Sequence, residues 1–178
     1  MSPEFKYGVT AGLGVSLWTF GEYALGWHTT HSVGGELAGY FSNLILLACL
    51  VLLFRRKRAL APHGRLSLAS ALGSGLATSL LAAMIVYGLM VVYGRWIDPD
   101  LVDNILAAQV ARMRADQISE IEIRRAITFF RNANSTAGLL VTRLLALTVT
   151  GGLFSLLLLV FQHRFKSRSA PSSRSEVS

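Results

Sequence analysis

Arg143 is the residue that most needs a chemical explanation. It sits eight residues into an apolar run, Thr136 to Phe161, roughly 12 Å along a helix from its start. A charge at mid-membrane costs ~2.5–3.5 kcal/mol on insertion scales and is normally paired. Glu22 lies five residues before the end of another apolar run, Tyr7 to Trp27, at a depth of roughly 8 Å. The two depths nearly match, so an intramembrane ion pair between Glu22 and Arg143 is expected, with Glu36 as the second-choice acid. Two other readings stand beside it. The long arginine side chain could snorkel to the outer headgroups, or the pair could form a transport or proton site.

His28, His31 and Glu36 follow closely after Glu22. Imidazole and carboxylate together can hold zinc. A His-x-x-His spacing in a turn is a weak metal signal, and the expected role of these residues is interfacial polarity near the headgroups. No H-E-x-x-H, G-x-S-x-G, phosphate loop or cysteine pair occurs, so no enzyme constellation is recognised and no cofactor is expected. Cys49 lies in an apolar run and reads as a small hydrophobe.

The elements that must position these residues are four apolar runs. Of 178 residues, 52% are hydrophobic and only 15% charged, with a mean hydropathy of +0.48. Soluble domains carry about 25% charged residues, so an integral membrane protein is expected. The predicted spans are about 7–27, 35–54, 66–93 and 136–161 in one domain, 1–165. A basic tail, 166–178, is expected to be disordered. The first run is too long, and too polar at Glu22, for a cleaved signal. Gly8 and Gly12 form a G-x-x-x-G spacing. In the third run Ser67, Ala71, Gly75, Ser79 and Ala83 recur every four residues, beside a second row of Ala69, Gly73 and Ala77. Small-residue rows let helix backbones approach closely, which places the third helix at the centre of the bundle.

The one long connection, between the third and fourth spans, predicts an outer helical insert over 98–134. Asp98 reads as an N-cap with Pro99 at the first helical position. Val102, Ile105, Leu106, Gln109, Val110 and Met113 then share one face. A break near Asp116-Gln117 precedes a capping box, Ser119 with Glu122. The second insert helix has an apolar face of Ile123, Ala126, Ile127 and Phe130. Glu120–Arg124 and Glu122–Arg125 pairs are expected along it. The two helices are expected to pack on the bundle, as a lid or a docking surface, with an apolar-face-down position on the outer membrane surface as the other reading.

The cluster Arg55-Arg56-Lys57-Arg58 fixes the orientation, because Lys and Arg in short loops resist translocation. With both termini inside, ten Lys and Arg are cytoplasmic. Six lie outside, all in the long insert beside six acids. Net charge of +7 therefore signals topology and contact with membrane lipids, not nucleic acid. Four spans with both ends in the cytoplasm satisfy the count.

The basic inner loop running into Gly64-Arg65-Leu66-Ser67, the Ile97-Asp98-Pro99 exit from the third span, and Gln117-Ile118-Ser119-Glu120-Ile121-Glu122 before an amphipathic helix carry a resemblance. Together they are similar to an uncharacterised family of bacterial four-span membrane proteins, catalogued as a domain of unknown function. The resemblance covers roughly Lys6 to Phe165 and implies a bacterial inner-membrane location. It brings no catalytic residue. The insert departs from the family pattern, being richer in Ala and Arg than in Glu and Lys.

The first functional expectation is a non-enzymatic accessory or structural subunit, acting through helix contacts in a homo-oligomer or with another membrane protein. The second is a small transporter, or a subunit of one, using Glu22 and Arg143. The third is a membrane enzyme acting on lipid-linked substrates.

Overall fold

The computed structural model describes residues 1–27, 33–61 and 66–167, with side chains described outside 33–39 and 161–167. The fold is all-α. Six α-helices follow one another: α1 (Pro3–Ala24), α2 (Val33–Leu60), α3 (Leu68–Val92), α4 (Leu101–Ala115), α5 (Glu120–Asn134) and α6 (Thr136–Ser167). No strand occurs among the described residues.

α1 starts four residues earlier than the apolar run suggests. Ser2 caps it, its hydroxyl accepting from Phe5 N–H at 3.3 Å, and Pro3 occupies the first turn. Proline belongs there because its missing N–H would have no helical partner. α2 runs on through Arg55-Arg56-Lys57-Arg58, which corrects the expectation of a loop at that cluster. Arg and Lys are good helix formers, and cations offset the negative end of the helix dipole. Gly64 and Arg65 of the expected inner loop, and the tail over 168–178, lie outside the described residues.

Two helices among the described residues are long and apolar enough to cross a membrane, Leu68–Ile97 and Thr136–Val160. Four had been expected. α1 is diluted by Gly8, Gly12, Gly14, Ser16, Thr19 and Gly21. α2 has an uninterrupted apolar stretch only over 44–54, between Asn43 and the basic cluster.

Helix directions follow from the contacts. Glu4 meets Lys57 and Trp18 meets Phe41, so α1 and α2 are antiparallel. Gly8 faces Thr78 and Leu81 while Gly12 faces Ala82 and Ile85, so α1 and α3 are parallel. Gly75 faces Ser155 and Ser79 faces Gly151, so α3 and α6 are antiparallel. α3 has the broadest contacts, with α1 on one side and α6 on the other, which is the central place its small-residue rows predict. Its first row is used there: Ala71, Gly75, Ser79 and Ala83 are all buried. Leu46, Leu50, Leu53 and Phe54 of α2 complete the core with Ala11, Val15 and Val86.

α3 ends in a π turn, Tyr93–Ile97, closed by the bond from Asp98 N–H to Tyr93 O at 3.0 Å. α4 begins at Leu101 and not at Pro99. Asp98 to Asp100 instead form a turn, with Leu101 N–H donating to Asp98 O at 3.3 Å. Gln117, at φ 58°, reverses the chain between α4 and α5 where the break was expected. The capping box forms, with Glu122 N–H donating to Ser119 Oγ at 3.3 Å. Ile123 is buried, and Ala126, Ile127 and Phe130 are half-buried, as the periodicity requires. On α4 the expected face holds except at Gln109, which is exposed.

The expected pair Glu120–Arg124 gives way to Glu120–Arg114 at 3.1 Å across the hairpin, and Arg131 reaches Asp103 at 3.7 Å. These bridges tie α5 to α4. The hairpin packs on itself, and α5 packs against α6; neither helix lies broadly over α1 or α2 among the described residues. The hairpin thus meets the bundle at α6. The apolar faces of α4 and α5 shield each other in part, while Ile121 and Phe129 stay exposed.

Candidate functional site

Polar groups gather at two ends of the bundle. At one end α1, α2 and α3 meet around Glu4. Lys57 Nζ donates to Glu4 Oε1 at 2.5 Å and to Ser74 Oγ at 2.5 Å. Ser74 Oγ lies 3.1 Å from Glu4 Oε1 and 2.7 Å from Ser70 O. The Lys57 hydrogen bond holds the Glu4 carboxyl below the usual carboxylate range, against the opposing pull of partial burial. Sequence reasoning passed over this cluster. Glu4 stands in a short polar start and Lys57 among four cations, and nothing local marks either as a partner of the other. The cluster stitches three helices together and offers no reactive group.

At the other end are the residues the sequence singled out. Glu22 and Tyr23 follow one another on α1, and Tyr23 packs against Tyr93 of the π turn at 5.7 Å between centroids. Tyr93 also stacks on Phe20 at 4.7 Å and 15°. Arg143 is half-buried on α6, hydrogen-bonds Tyr23, and its charge bears on Glu22. The Trp18 side chain hydrogen-bonds the Glu22 carboxylate, whose Oε1 is buried with no hydrogen-bond partner among the described residues. Elsewhere among the described residues, ion pairs include Glu4–Lys57, Arg114–Glu120 and Arg131–Asp103. The π turn that supplies Tyr93 has no periodicity signal, and sequence reasoning missed that residue's role.

A cavity of about 250 Å³ opens between α1 and α2 beside Glu22. Leu17, Trp18, Glu22, Leu25, Trp27 and Ile45 line it. Gly21 gives it room: a Cβ at that position would meet nothing within 4 Å. Trp18 packs against Trp27 at 6.3 Å and 64°, and against Phe41 at 4.9 Å. The candidate metal residues His28 and His31 lie outside the described residues, as does the side chain of Glu36. No cluster of three metal-ligating residues occurs among the described residues.

A family model described as "Protein of unknown function (DUF4199)" matches residues 6–162. The chain belongs to this family. The DUF4199 match takes in the aromatic end of the bundle, the Glu22 cavity and the α4–α5 hairpin. It starts just after Glu4, so the Glu4–Lys57 clasp reaches one side chain beyond it. No curated protein and no solved structure matches the chain. DUF4199 membership carries no reaction with it, and the residues alone must supply the functional reading.

Proposed function

We propose that this DUF4199 chain is an accessory or structural subunit of the bacterial inner membrane. It crosses the bilayer four times and acts through helix–helix contacts. Support for the membrane setting comes from an inverted distribution of polarity. Ser16, Thr19, Ser74, Thr78, Ser79 and Ser155 are buried, while Leu17, Leu44, Leu80, Leu145, Val149 and Leu153 are exposed. In water that arrangement would be costly. In lipid it is favourable: small polar residues let helices close up, and outward leucines meet acyl chains. Ser16, Thr19, Ser74 and Ser155 bond back along their own helices, as in Ser16 to Gly12 O at 2.8 Å and Ser155 to Gly151 O at 2.7 Å, so these four hydroxyls need no water. Alternating directions of α1, α2, α3 and α6 support four crossings. That topology puts the Glu4–Lys57 end in the cytoplasm and the hairpin outside. Reporter fusions at residue 57 and residue 115 should then report opposite sides. Both reporting the same side would end the four-crossing reading.

The observation that carries the accessory role is the second small-residue row of α3. Ala69, Gly73 and Ala77 are all exposed, and a Cβ on Gly73 would meet nothing within 4 Å. A glycine inside a helix costs about 0.5–1 kcal/mol relative to alanine, and a lipid-facing position gives nothing in return. A second helix seated on the row would, and a second copy of this chain is the first partner to test. Native mass spectrometry in mild detergent should show an oligomer for the wild type and monomer for Gly73→Leu. A wild type that stays monomeric removes the role. A Gly73→Leu variant as oligomeric as wild type does so too.

The second reading, a small transporter or transporter subunit using Glu22 and Arg143, is favoured by the cavity at Glu22. Arg143 there joins Tyr23 and acts on the same carboxylate.

A further inference from the structure

We propose that the cavity between α1 and α2 binds the charged head of a cationic amphiphile, with Glu22 as its counter-ion and Trp18 and Trp27 as its aromatic walls. The inference rests on the membrane setting above and deepens the second reading. It is independent of association through α3. Three features converge. The first is a buried carboxylate oxygen, Glu22 Oε1, with no hydrogen-bond partner among the described residues. A buried polar group without a partner is costly and is kept where something fills its need. The second is the wall chemistry. Two indoles meeting at 64° present ring faces and edges in different directions, and an ammonium over an indole face is attracted by the ring quadrupole. Among the described lining residues Glu22 is the single charged one and none is a cation that could take a phosphate, so the complement is a net cation; Arg143 acts on the Glu22 carboxylate from outside that lining. The third is access. The rim residues Leu17 and Leu25 are exposed large hydrophobics on the outside of α1, so a ligand's apolar chain can lie along the helix while its head turns inward. The volume, about 250 Å³, falls below the ~300–1,000 Å³ of drug-sized sites and suits a headgroup.

Gly21 makes the cavity and also permits a clean block. Its missing side chain leaves open space, so Gly21→Leu fills the cavity without displacing a protein atom at Cβ. The test uses the full chain in dodecyl maltoside micelles, which carry no charge. A Trp96→Phe background leaves Trp18 and Trp27 as the emitting indoles. Hexyltrimethylammonium should change their emission saturably, and its uncharged isostere, with carbon in place of nitrogen, should bind at least about tenfold more weakly. Glu22→Gln should erase that preference for charge, and Gly21→Leu should abolish binding of both probes. Both variants should elute as the wild type does. Equal binding of the two probes overturns the inference. So does an unchanged preference in Glu22→Gln, or undiminished binding in Gly21→Leu. Displacement of the probe by short-chain phosphatidylethanolamine would also overturn it, by giving the site to a zwitterionic lipid head. A monomeric wild type would remove the α3 reading and leave this one standing.

Discussion

Gly75→Leu and Gly151→Leu should each separate α3 from α6, and these are the most damaging substitutions expected in the chain. On α3, Gly75 and Ser79 are four residues apart; on α6, Gly151 and Ser155 are too. Because the helices run antiparallel, each glycine receives the other helix's serine. A Cβ on Gly75 would overlap Ser155 Oγ and come within 2.8 Å of Ser155 Cβ; a Cβ on Gly151 would overlap Ser79 Oγ. Neither serine can give way, since both are buried at 0% exposure. Ordinary overpacking costs about 1–3 kcal/mol, and the backbones would also have to move apart. Even Gly75→Ala should lower thermal stability in detergent by an amount in that range. The arrangement is reciprocal, so Gly75→Ser combined with Ser155→Gly should recover much of what Gly75→Ser alone loses. A double variant no more stable than Gly75→Ser would mean the two positions do not meet. Ser79 Oγ is buried without a hydrogen-bond partner among the described residues, so Ser79→Ala should cost little or stabilise.

Removing the carboxylate at the other end should be the second largest effect. Glu4→Leu strands Lys57, whose side chain is 24% exposed against 22% for Glu4. Breaking an exposed pair costs about 0–1 kcal/mol and breaking a buried one about 3–5 kcal/mol. A partly shielded pair with a serine still able to accept from Lys57 belongs between, at about 1–3 kcal/mol. Glu4→Leu with Lys57→Met should recover most of the loss, because no charge is then left without a partner. The pH dependence has a definite sign. The Glu4 carboxyl titrates below its ordinary value in the folded chain, chiefly through the Lys57 hydrogen bond. Its contribution is therefore complete above the unfolded value, about 4.3. It fades as pH falls through the folded value. Thermal melts should show a gap between wild type and Glu4→Gln that is constant near neutrality and closes under acid. A gap that widens as pH falls would contradict the pairing.

Much of the fold was legible because its signals are local. The capping box at Ser119 and Glu122, the apolar face from Ile123 to Phe130 and the four-residue spacing in α3 each lie within one or two helical turns, the range over which backbone hydrogen bonds and side-chain periodicity act. Errors arose where a distant group took over. Glu120 left Arg124 for Arg114, because the reversal at Gln117 brings α4 back alongside α5. α1 was read from Tyr7 because its apolar run starts there, whereas the helix starts where Ser2 can cap it.

The amino-acid sequence alone determined that the chain is helical, how its apolar stretches alternate with basic and neutral connections, and which family pattern it carries. Only the tertiary structure decided that Glu4 belongs to Lys57, that Gly75 takes Ser155 and not another small residue, and that Trp18, Gly21 and Glu22 surround a cavity. The reason is physical. A helix writes its own periodicity into its sequence, but the register between two helices is set by which side chains interlock across tens of residues. In a bundle with apolar residues both inside and out, hydrophobicity does not say which face turns inward; close packing does.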